Sequence, residues 1–322
     1  MKKSLTMMLA AVCALAAVNA MAQGAWPAKP LRLITAASAG MAPDIVARLV
    51  MERVSQSIGQ AIVHDYHPAA NGIVAMQQAA ASVADGYTFV YLHAAAAVVT
   101  PATYKQAKYD VEKDLEAIAA IANTPLLIVA NNDVPAKTLA DVLEMARKAP
   151  GTVVVGNPVR TSIPHLTAEL ISQRAAVQFN HVWFNSSPMG VQATIKGDAQ
   201  FFIDGPAVLL PMVKAGRLRA IAVTAPTTFA GLEGIPLAKD TVPEANVFGW
   251  FVAFALPGTP QPVKQRMNEE INKALRHPEL AARLRELGTY PMPGSIADAQ
   301  KFVRDEKNRW AEVIRNAGIR AE

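Results

Sequence analysis

Cysteine is almost absent from this sequence of 322 residues, since its single cysteine, Cys13, lies in an apolar run near the N-terminus. That run, residues 5–18, follows two lysines and precedes the small-residue pattern Ala20-Met21-Ala22. These features predict an export signal that is cleaved after Ala22, with a buried N-terminal helix as the alternative. The mature chain would then contain no cysteine, which excludes disulfides, thiolate catalysis and cysteine-based metal sites.

Other features are missing as well. After the apolar run, no segment supplies the roughly 18 uninterrupted apolar residues of a membrane span. The 31 basic residues are scattered and not clustered with aromatic residues, so no nucleic-acid partner is expected. The 6 histidines are dispersed, which argues against a metal site. Motifs for a nucleophile elbow, a phosphate loop, a dinucleotide site or a zinc protease are absent, so we predict neither an enzyme nor a bound cofactor.

Short runs rich in β-branched residues alternate with longer helical stretches, which is typical of an α/β fold with parallel sheets. The predicted strands are Leu31–Thr35, Ala61–His64, Thr88–Leu92, Leu126–Ala130, Val153–Gly156, Asn180–Phe184, Ala199–Asp204, Leu218–Thr224 and Trp250–Leu256.

The helix starts carry a cap residue, an acid three positions later, or a proline in the first turn. They are Pro43, in a helix that ends at Gly59, Thr138 with Asp141, Ser187 with Pro188, and Ser295 with Asp298. The last helix, near Ile296–Ala317, is predicted to be the longest.

Several predicted strands end in a short loop of small or polar residues that leads directly into a helix start. Such loops are residues 36–42, 157–162, 185–187 and 204–205. In parallel sheets ligands bind outside the carboxyl ends of the strands. Helix N-termini there have unpaired N–H groups and a positive partial charge, which suits a carboxylate or a phosphate. We therefore expect helix ends to face each other across a ligand site, with ordinary capped loops as the alternative.

A series of short fragments, spread over residues 26–319, matches a known family in order and spacing, although each fragment alone is weak. The fragments are Trp26–Ile34, Asp44–Leu49, Asp85–Thr88, Thr100-Pro101, Tyr109-Asp110, Lys113–Leu115, Pro135–Thr138, His165-Leu166, His181-Val182, Asp204, Lys214–Ala220, Pro257–Pro260, Glu270–Leu275 and Ala317–Ile319. Together they resemble the Bug, or tripartite tricarboxylate transporter, family of substrate-binding receptors.

The resemblance implies a type II periplasmic binding protein fold, with two α/β lobes and a ligand cleft between them. We expect residues 23–123 and 227–322 to form the first lobe and residues 124–226 the second. The resemblance also implies a monomeric receptor in the periplasm that closes on a small carboxylate and delivers it to the membrane subunits of a tripartite tricarboxylate-type transporter. Dicarboxylates and aromatic or aliphatic organic acids are the expected ligands.

The candidate ligand contacts lie in the strand-end loops, where the sequence departs from the family pattern. Met41 replaces a glycine of the first loop, and Arg160 places a guanidinium in the loop of the second lobe, where it could pair with a carboxylate. Trp183 is assigned to core packing, and His93 and His165 to the scaffold. The predicted ligand-binding residues are Ser38, Gly40, Met41, Ala42, Asp44, Arg160, Thr161, Ser162, Phe184, Asn185 and Asp204.

Each of these assignments has a structural alternative. Ser162 would also serve as a plain helix cap, Asp44 would also interact with its own helix end, and Arg160 would also face solvent. Two other functions fit the same scaffold: presentation of a ligand to a periplasmic sensor kinase, and a periplasmic hydrolase that uses Ser162. The sequence does not determine which carboxylate binds or which ion drives the transporter.

Overall fold

The computed structural model describes residues 26–158, 160–184 and 186–319. The predicted export signal, residues 1–22, lies outside them. The strands are β1 (Leu31–Thr35), β2 (Ile62–Tyr66), β3 (Thr88–His93), β4 (Glu116–Pro125), β5 (Leu127–Ala130), β6 (Val153–Asn157), β7 (Phe179–Trp183), β8 (Phe201–Asp204), β9 (Arg219–Val223), β10 (Phe248–Ala255) and β11 (Tyr290–Pro291).

The helices alternate with these strands along the chain. They are α1 (Ala42–Ile58), α2 (Ile73–Ala80), α3 (Thr100–Thr103), α4 (Val111–Asp114), α5 (Leu139–Lys148), α6 (Ile163–Ala175), α7 (Ser187–Lys196), α8 (Pro206–Lys214), α9 (Gln261–Arg276), α10 (Pro278–Glu286) and α11 (Ile296–Ala317), with short 3₁₀ turns at Ala69–Gly72 and Ala238–Asp240 and a π turn at Ala95–Val99. None of the helices in this described part of the chain has the length and apolar character of a membrane span.

The described strands form two mixed sheets. The first has the order β11-β4-β10-β3-β1-β2 and the second the order β7-β6-β8-β5-β9. In the first sheet β1 is parallel to β2 and β3, whereas β10 is antiparallel to β3 and β4. In the second, β6 is parallel to β7 and β8, whereas β5 is antiparallel to β8 and β9. The predicted α/β class is confirmed. The prediction of parallel sheets is wrong, because β10 and β11 in the first sheet and β5 in the second run against the remaining strands.

Two crossing segments connect the sheets, one between β4 and β5 and the other between β9 and β10. They are joined to each other, because the Leu126 amide donates to the Thr224 hydroxyl and the Thr224 amide donates to the Leu126 carbonyl, both at 2.8 Å. The predicted lobe boundaries at 123/124 and 226/227 lie next to these crossings and stay a prediction.

Helix α1 shows how the sequence pattern positions a wall of the site. Val46, Val50 and Val54 recur every four residues and are almost fully buried, so one face of the helix packs on the sheet. Gly59 ends the helix in the left-handed conformation, with φ of 70°. The predicted helix from Pro43 to Gly59 is confirmed.

The predicted caps agree with the structure at two of three positions. Thr138 and Ser295 each form a capping box, in which the hydroxyl accepts from the amide three residues on and the acid there accepts in return. The prediction for Ser187 is wrong by one residue, because Ser186 has the extended cap conformation and Ser187 is already helical. The final helix α11 has 22 residues and the predicted bounds.

Strand β4 was not predicted from the sequence. It is 10 residues long and pairs with β10 on one side and β11 on the other. Ala119 and Ala120, which pack in the cores on opposite faces, are both buried. A strand buried on both faces has no alternation of apolar and polar residues, and its many alanines favour a helix in isolation. The local pattern therefore does not reveal it.

Candidate ligand-binding cleft

A cleft of about 430 Å³ lies between the two sheets, at the carboxyl ends of β1, β3 and β6. Its first wall is the loop after β1 with the residues that follow β3, its second wall is residues 160–164, and its floor is the start of β10. Of the predicted ligand residues, the structure brings together Ser38, Met41, Arg160, Thr161 and Ser162 in this lining. Sites at strand ends are expected in open α/β sheets.

The loop after β1 is shaped by its backbone. The Ala37 amide donates to the Thr35 hydroxyl at 3.1 Å, and Gly40 has a φ of 79°, which only glycine adopts readily. Met41 follows with an extended backbone, at φ of −75°, so a side chain at this position is unstrained. The Met41 side chain is 58% exposed and lines the cleft.

Asp44 lies behind this loop and is not among the lining residues. Its side chain is 2% exposed. It accepts from the Gly40 amide at 2.7 Å, the Tyr66 hydroxyl at 2.7 Å and the Arg48 Nε at 3.1 Å. Burial raises the pKa of Asp44, but the hydrogen bonds from Gly40, Tyr66 and Arg48 together lower it by more. The pKa of Asp44 therefore lies below its ordinary value. Asp44 therefore holds the first wall in place as a carboxylate.

The second wall is the loop that leads into α6. Thr161 adopts the left-handed conformation, with φ of 62°. Ser162 caps the helix, because its hydroxyl accepts from the His165 amide at 3.4 Å. The Arg160 guanidinium lies 5.4 Å from the centre of the Trp183 ring. The assignment of Trp183 to the core is wrong, since this side chain is 44% exposed. Its ring contacts the rings of His165 and His181 on its buried side.

Two predicted residues of the second lobe lie away from the cleft lining. Phe184 is partly buried and packs against Phe202 of the second-lobe core, with ring centres 6.3 Å apart. Asp204 ends β8 and accepts from the Gly205 amide at 2.7 Å. Burial raises the pKa of Asp204, and the hydrogen bonds from Ser187 and Gly205 oppose this only in part. Asn185 lies outside the described residues, and Gly40 and Ala42 flank Met41 without lining the cleft themselves.

Several lining residues were not predicted: Asn71, His93, Thr100, Trp250 and Phe251. His93 directly follows the predicted strand Thr88–Leu92, so the strand-end rule used for the other loops would have found it. Burial lowers the pKa of His93 to about 4, so the imidazole is neutral at neutral pH. The Ala96 amide donates to its Nδ1 at 3.4 Å, which leaves the proton on Nε2 as a donor.

Two helix N-termini meet at this cleft. In α1 the cap position is Met41 and the second helical residue is Pro43; in α6 these positions are Ser162 and Pro164. All four residues line the cleft. Helix N-termini concentrate unpaired amide donors and a partial positive charge of roughly half an elementary charge. The cleft is therefore suited to a small anion.

The sequence model of the tripartite tricarboxylate transporter family receptors, called TctC, matches residues 46–319. The chain belongs to this family. A relative in Bordetella bronchiseptica, a UPF0065 protein, is 32% identical over 315 residues, which covers 98% of this chain and 93% of the relative. The protein BugT of Bordetella pertussis is 26% identical over 297 residues, which covers 92% of this chain and 91% of BugT.

Solved structures confirm the two-lobed periplasmic binding protein fold of this TctC-family receptor. The structure of R. palustris Rpa4515 with adipate has a TM-score of 0.80 and 29% identity, and the match covers 92% of this chain and 99% of that one. A periplasmic transporter matches with a TM-score of 0.79 and 28% identity over 92% and 99% of the two chains. The periplasmic binding protein BugD, with a TM-score of 0.76 and 22% identity over 92% and 100%, shares the fold.

TctC proteins are receptors and not an enzyme class. In this receptor the nearest histidine to the Ser162 hydroxyl along the helix is His165, which offers Ser162 its backbone amide. The His165 ring accepts from the Thr161 amide through Nδ1 instead, at 3.2 Å. A serine nucleophile needs a base on its hydroxyl, and the His165 ring is turned to a different partner.

Proposed function

We propose that this TctC-family receptor captures a small carboxylate in the periplasm and delivers it to the membrane subunits of a tripartite tricarboxylate-type transporter. The meeting of the α1 and α6 N-termini at one cleft is the observation that carries this proposal. We assign direct ligand contacts to Ser38, Met41, Arg160, Thr161 and Ser162. Gly40, Ala42 and Asp44 shape the first wall, and Phe184 and Asp204 support the second lobe behind the cleft. Asn185 stays a proposed ligand contact.

The electrostatics of the lining favour an anion. Among the described residues that line the cleft, Arg160 has a charged side chain and none is acidic. His93 adds a neutral donor, because burial keeps its pKa near 4. A guanidinium with backbone donors binds a carboxylate by charge-assisted hydrogen bonds, which are about twice as strong as neutral ones. A cation would meet Arg160 and two positive helix ends.

The rest of the lining favours an apolar ligand body. Met41, Ile163, Trp250 and Phe251 contribute aliphatic and aromatic surface opposite the polar loops. Such a lining suits a short chain of methylenes or a ring between acidic ends. The R. palustris relative, at 29% identity, was solved with adipate, a dicarboxylate with an aliphatic chain. Adipate is therefore the first ligand to test.

The proposal is tested by isothermal titration calorimetry with adipate, hexanoate, benzoate and glucose. We expect micromolar or tighter binding of at least one acid and none of glucose. Arg160→Ala should weaken that binding at least tenfold. Arg147→Ala, which removes an exposed arginine of the second lobe outside the cleft, should leave it unchanged. Binding of sugars or cations alone would overturn the proposal.

Delivery to a transporter is tested in cells. Loss of this receptor should abolish uptake of the labelled acid, and the wild-type chain should restore uptake where Arg160→Ala does not. Normal uptake with a lost transcriptional response to the acid would point to presentation to a sensor kinase instead. Light scattering with and without the acid tests the proposed monomer.

A further inference from the structure

Two histidines and a glutamate lie together behind the second wall of the cleft. His165 and Glu169 are one turn apart on α6, and His181 comes from β7. Glu169 Oε1 is 3.5 Å from the Nε2 of His165 and 3.4 Å from the Nε2 of His181. The two rings are edge to face, with centres 5.4 Å apart. We call these three residues the His-Glu-His network. The prediction that the histidines are dispersed is wrong for His165 and His181.

The other nitrogen of each ring accepts a hydrogen bond. The Thr161 amide donates to Nδ1 of His165 at 3.2 Å. The Asn157 side-chain amide is 3.1 Å from Nδ1 of His181 and also donates to the Val155 carbonyl at 3.1 Å, which fixes its nitrogen toward the ring. An Nδ1 that accepts carries no proton. Both neutral rings therefore have their proton on Nε2, which faces the Glu169 carboxylate.

The directions of the pKa shifts agree with this arrangement. The hydrogen bond from His165 lowers the pKa of Glu169, although burial opposes this. Burial lowers the pKa of His181, and the nearby Glu169 offsets this only in part. Glu169 is therefore ionised and His181 is neutral at neutral pH.

The Thr161 backbone needs such support. A β-branched residue in the left-handed conformation is an outlier that persists only when the surroundings over-determine it. Thr161 is 5% exposed, and its hydroxyl donates to the Arg160 carbonyl at 2.5 Å. Its amide is held by His165, and its chain neighbours Arg160 and Ser162 line the cleft.

We propose that the His-Glu-His network positions the second wall: Glu169 orients His165, and His165 holds the Thr161 amide so that Arg160 and Ser162 face the ligand. His165, Glu169 and His181 are positioning residues, since none lines the cleft. This inference rests on the proposed function of the cleft.

A metal ion is the competing occupant of the same three residues. The distances of 3.4 and 3.5 Å between ligand atoms match the edge of a zinc tetrahedron with bonds of about 2.1 Å. Coordination through Nε2 would move both protons to Nδ1, where the Thr161 and Asn157 donors already point. A bound zinc ion and the hydrogen bond from Thr161 are therefore mutually exclusive.

The first experiment is independent of any carboxylate. In the mature protein labelled with ¹⁵N-histidine, imidazole nitrogen shifts at pH 7.5 report which nitrogen is protonated, and the His165→Asn variant identifies the His165 signals. We expect an unprotonated Nδ1 and a protonated Nε2 in His165 and His181, unchanged by one equivalent of ZnCl₂. Protonated Nδ1 in His165, or zinc shifts in both rings, would overturn the inference.

The second experiment uses a matched pair of variants. In His165→Asn the side-chain oxygen takes the place of Nδ1 and accepts from Thr161, whereas the longer His165→Gln reaches Glu169 but not Thr161. By calorimetry, adipate should bind His165→Asn within about threefold of wild type and His165→Gln about tenfold more weakly, which corresponds to ~1.4 kcal/mol. The melting temperatures of the two variants should be similar. Equal losses, or full affinity in His165→Gln, would contradict positioning by Nδ1. If the wild-type receptor binds another of the tested acids in place of adipate, that acid is used for the comparison. If it binds none of them, the ligand proposal fails, while the nitrogen shifts still test the His-Glu-His network.

Discussion

Replacing Asp44 should loosen the first wall of the cleft and destabilise the first lobe. The Asp44 carboxylate is 2% exposed and accepts from the Gly40 amide, the Tyr66 hydroxyl and Arg48. Breaking hydrogen bonds to a buried charged group costs about 1.5–3 kcal/mol each, and the losses overlap because Arg48 regains water. We expect Asp44→Ala to lower the free energy of unfolding by about 3–4 kcal/mol. Asp44→Asn should cost about 1–2 kcal/mol, since an amide still accepts from Gly40 and donates to Tyr66.

Urea unfolding followed by circular dichroism measures these changes, and calorimetry with adipate measures the effect on the cleft. If the lobes unfold separately, only the transition of the first lobe should shift. Asp141→Asn, which changes an exposed capping acid of the second lobe, is the matched control and should leave adipate affinity unchanged. An Asp44→Ala variant that loses less than about 1 kcal/mol and binds adipate normally would refute the role given to Asp44.

The same carboxylate predicts a dependence on pH. Burial raises the pKa of Asp44, but its hydrogen bonds bring the native pKa below the ordinary value of 3.8. The native state therefore binds fewer protons than the unfolded state in this range, and stability is lost as pH falls below the unfolded pKa toward the native one. The free energy of unfolding of Asp44→Asn should decrease less steeply at acid pH than that of wild type, as measured by urea unfolding.

Three further predictions concern the cleft and the scaffold. Arg160→Lys should bind adipate more weakly than wild type but more tightly than Arg160→Ala, because lysine keeps the charge and loses the planar contact with Trp183. Equal affinity of the two variants in calorimetry would contradict this. Burial lowers the pKa of His93 from 6.5 to about 4. Between these two pH values the unfolded state binds a proton that the native state does not, so the free energy of unfolding decreases as pH falls from 6.5 toward 4. His93→Gln should flatten that slope in urea unfolding at pH 5 and 7, and an unchanged slope would count against it. Thr138→Ala removes a capping-box hydroxyl and should cost about 1 kcal/mol in the same assay, with no effect on adipate binding.

Local patterns along the chain were enough to predict the order of most elements and several of their ends. Periodic apolar residues marked α1, and its terminal Gly59 was recognisable because few other residues adopt the left-handed conformation. The capping boxes at Thr138 and Ser295 were equally visible, since each involves residues three apart. These features depend on groups within one helical turn, so a linear reading captures them. The loops that end in α1 and α6 were found for the same reason.

Contacts between distant segments, in contrast, determine which side chains share the cleft. Asp44 lies just after the first predicted loop and Phe184 just before the third, yet Asp44 lies behind its wall and Phe184 packs against the core of the second lobe. His93 and Trp250 reach the lining from strands that pair across long sequence separations. The same is true of His181, which joins His165 from a neighbouring element. Strand β4 was hidden because burial on both faces removes its polar alternation. Pairing between distant segments sets these positions, and no local pattern encodes such pairing.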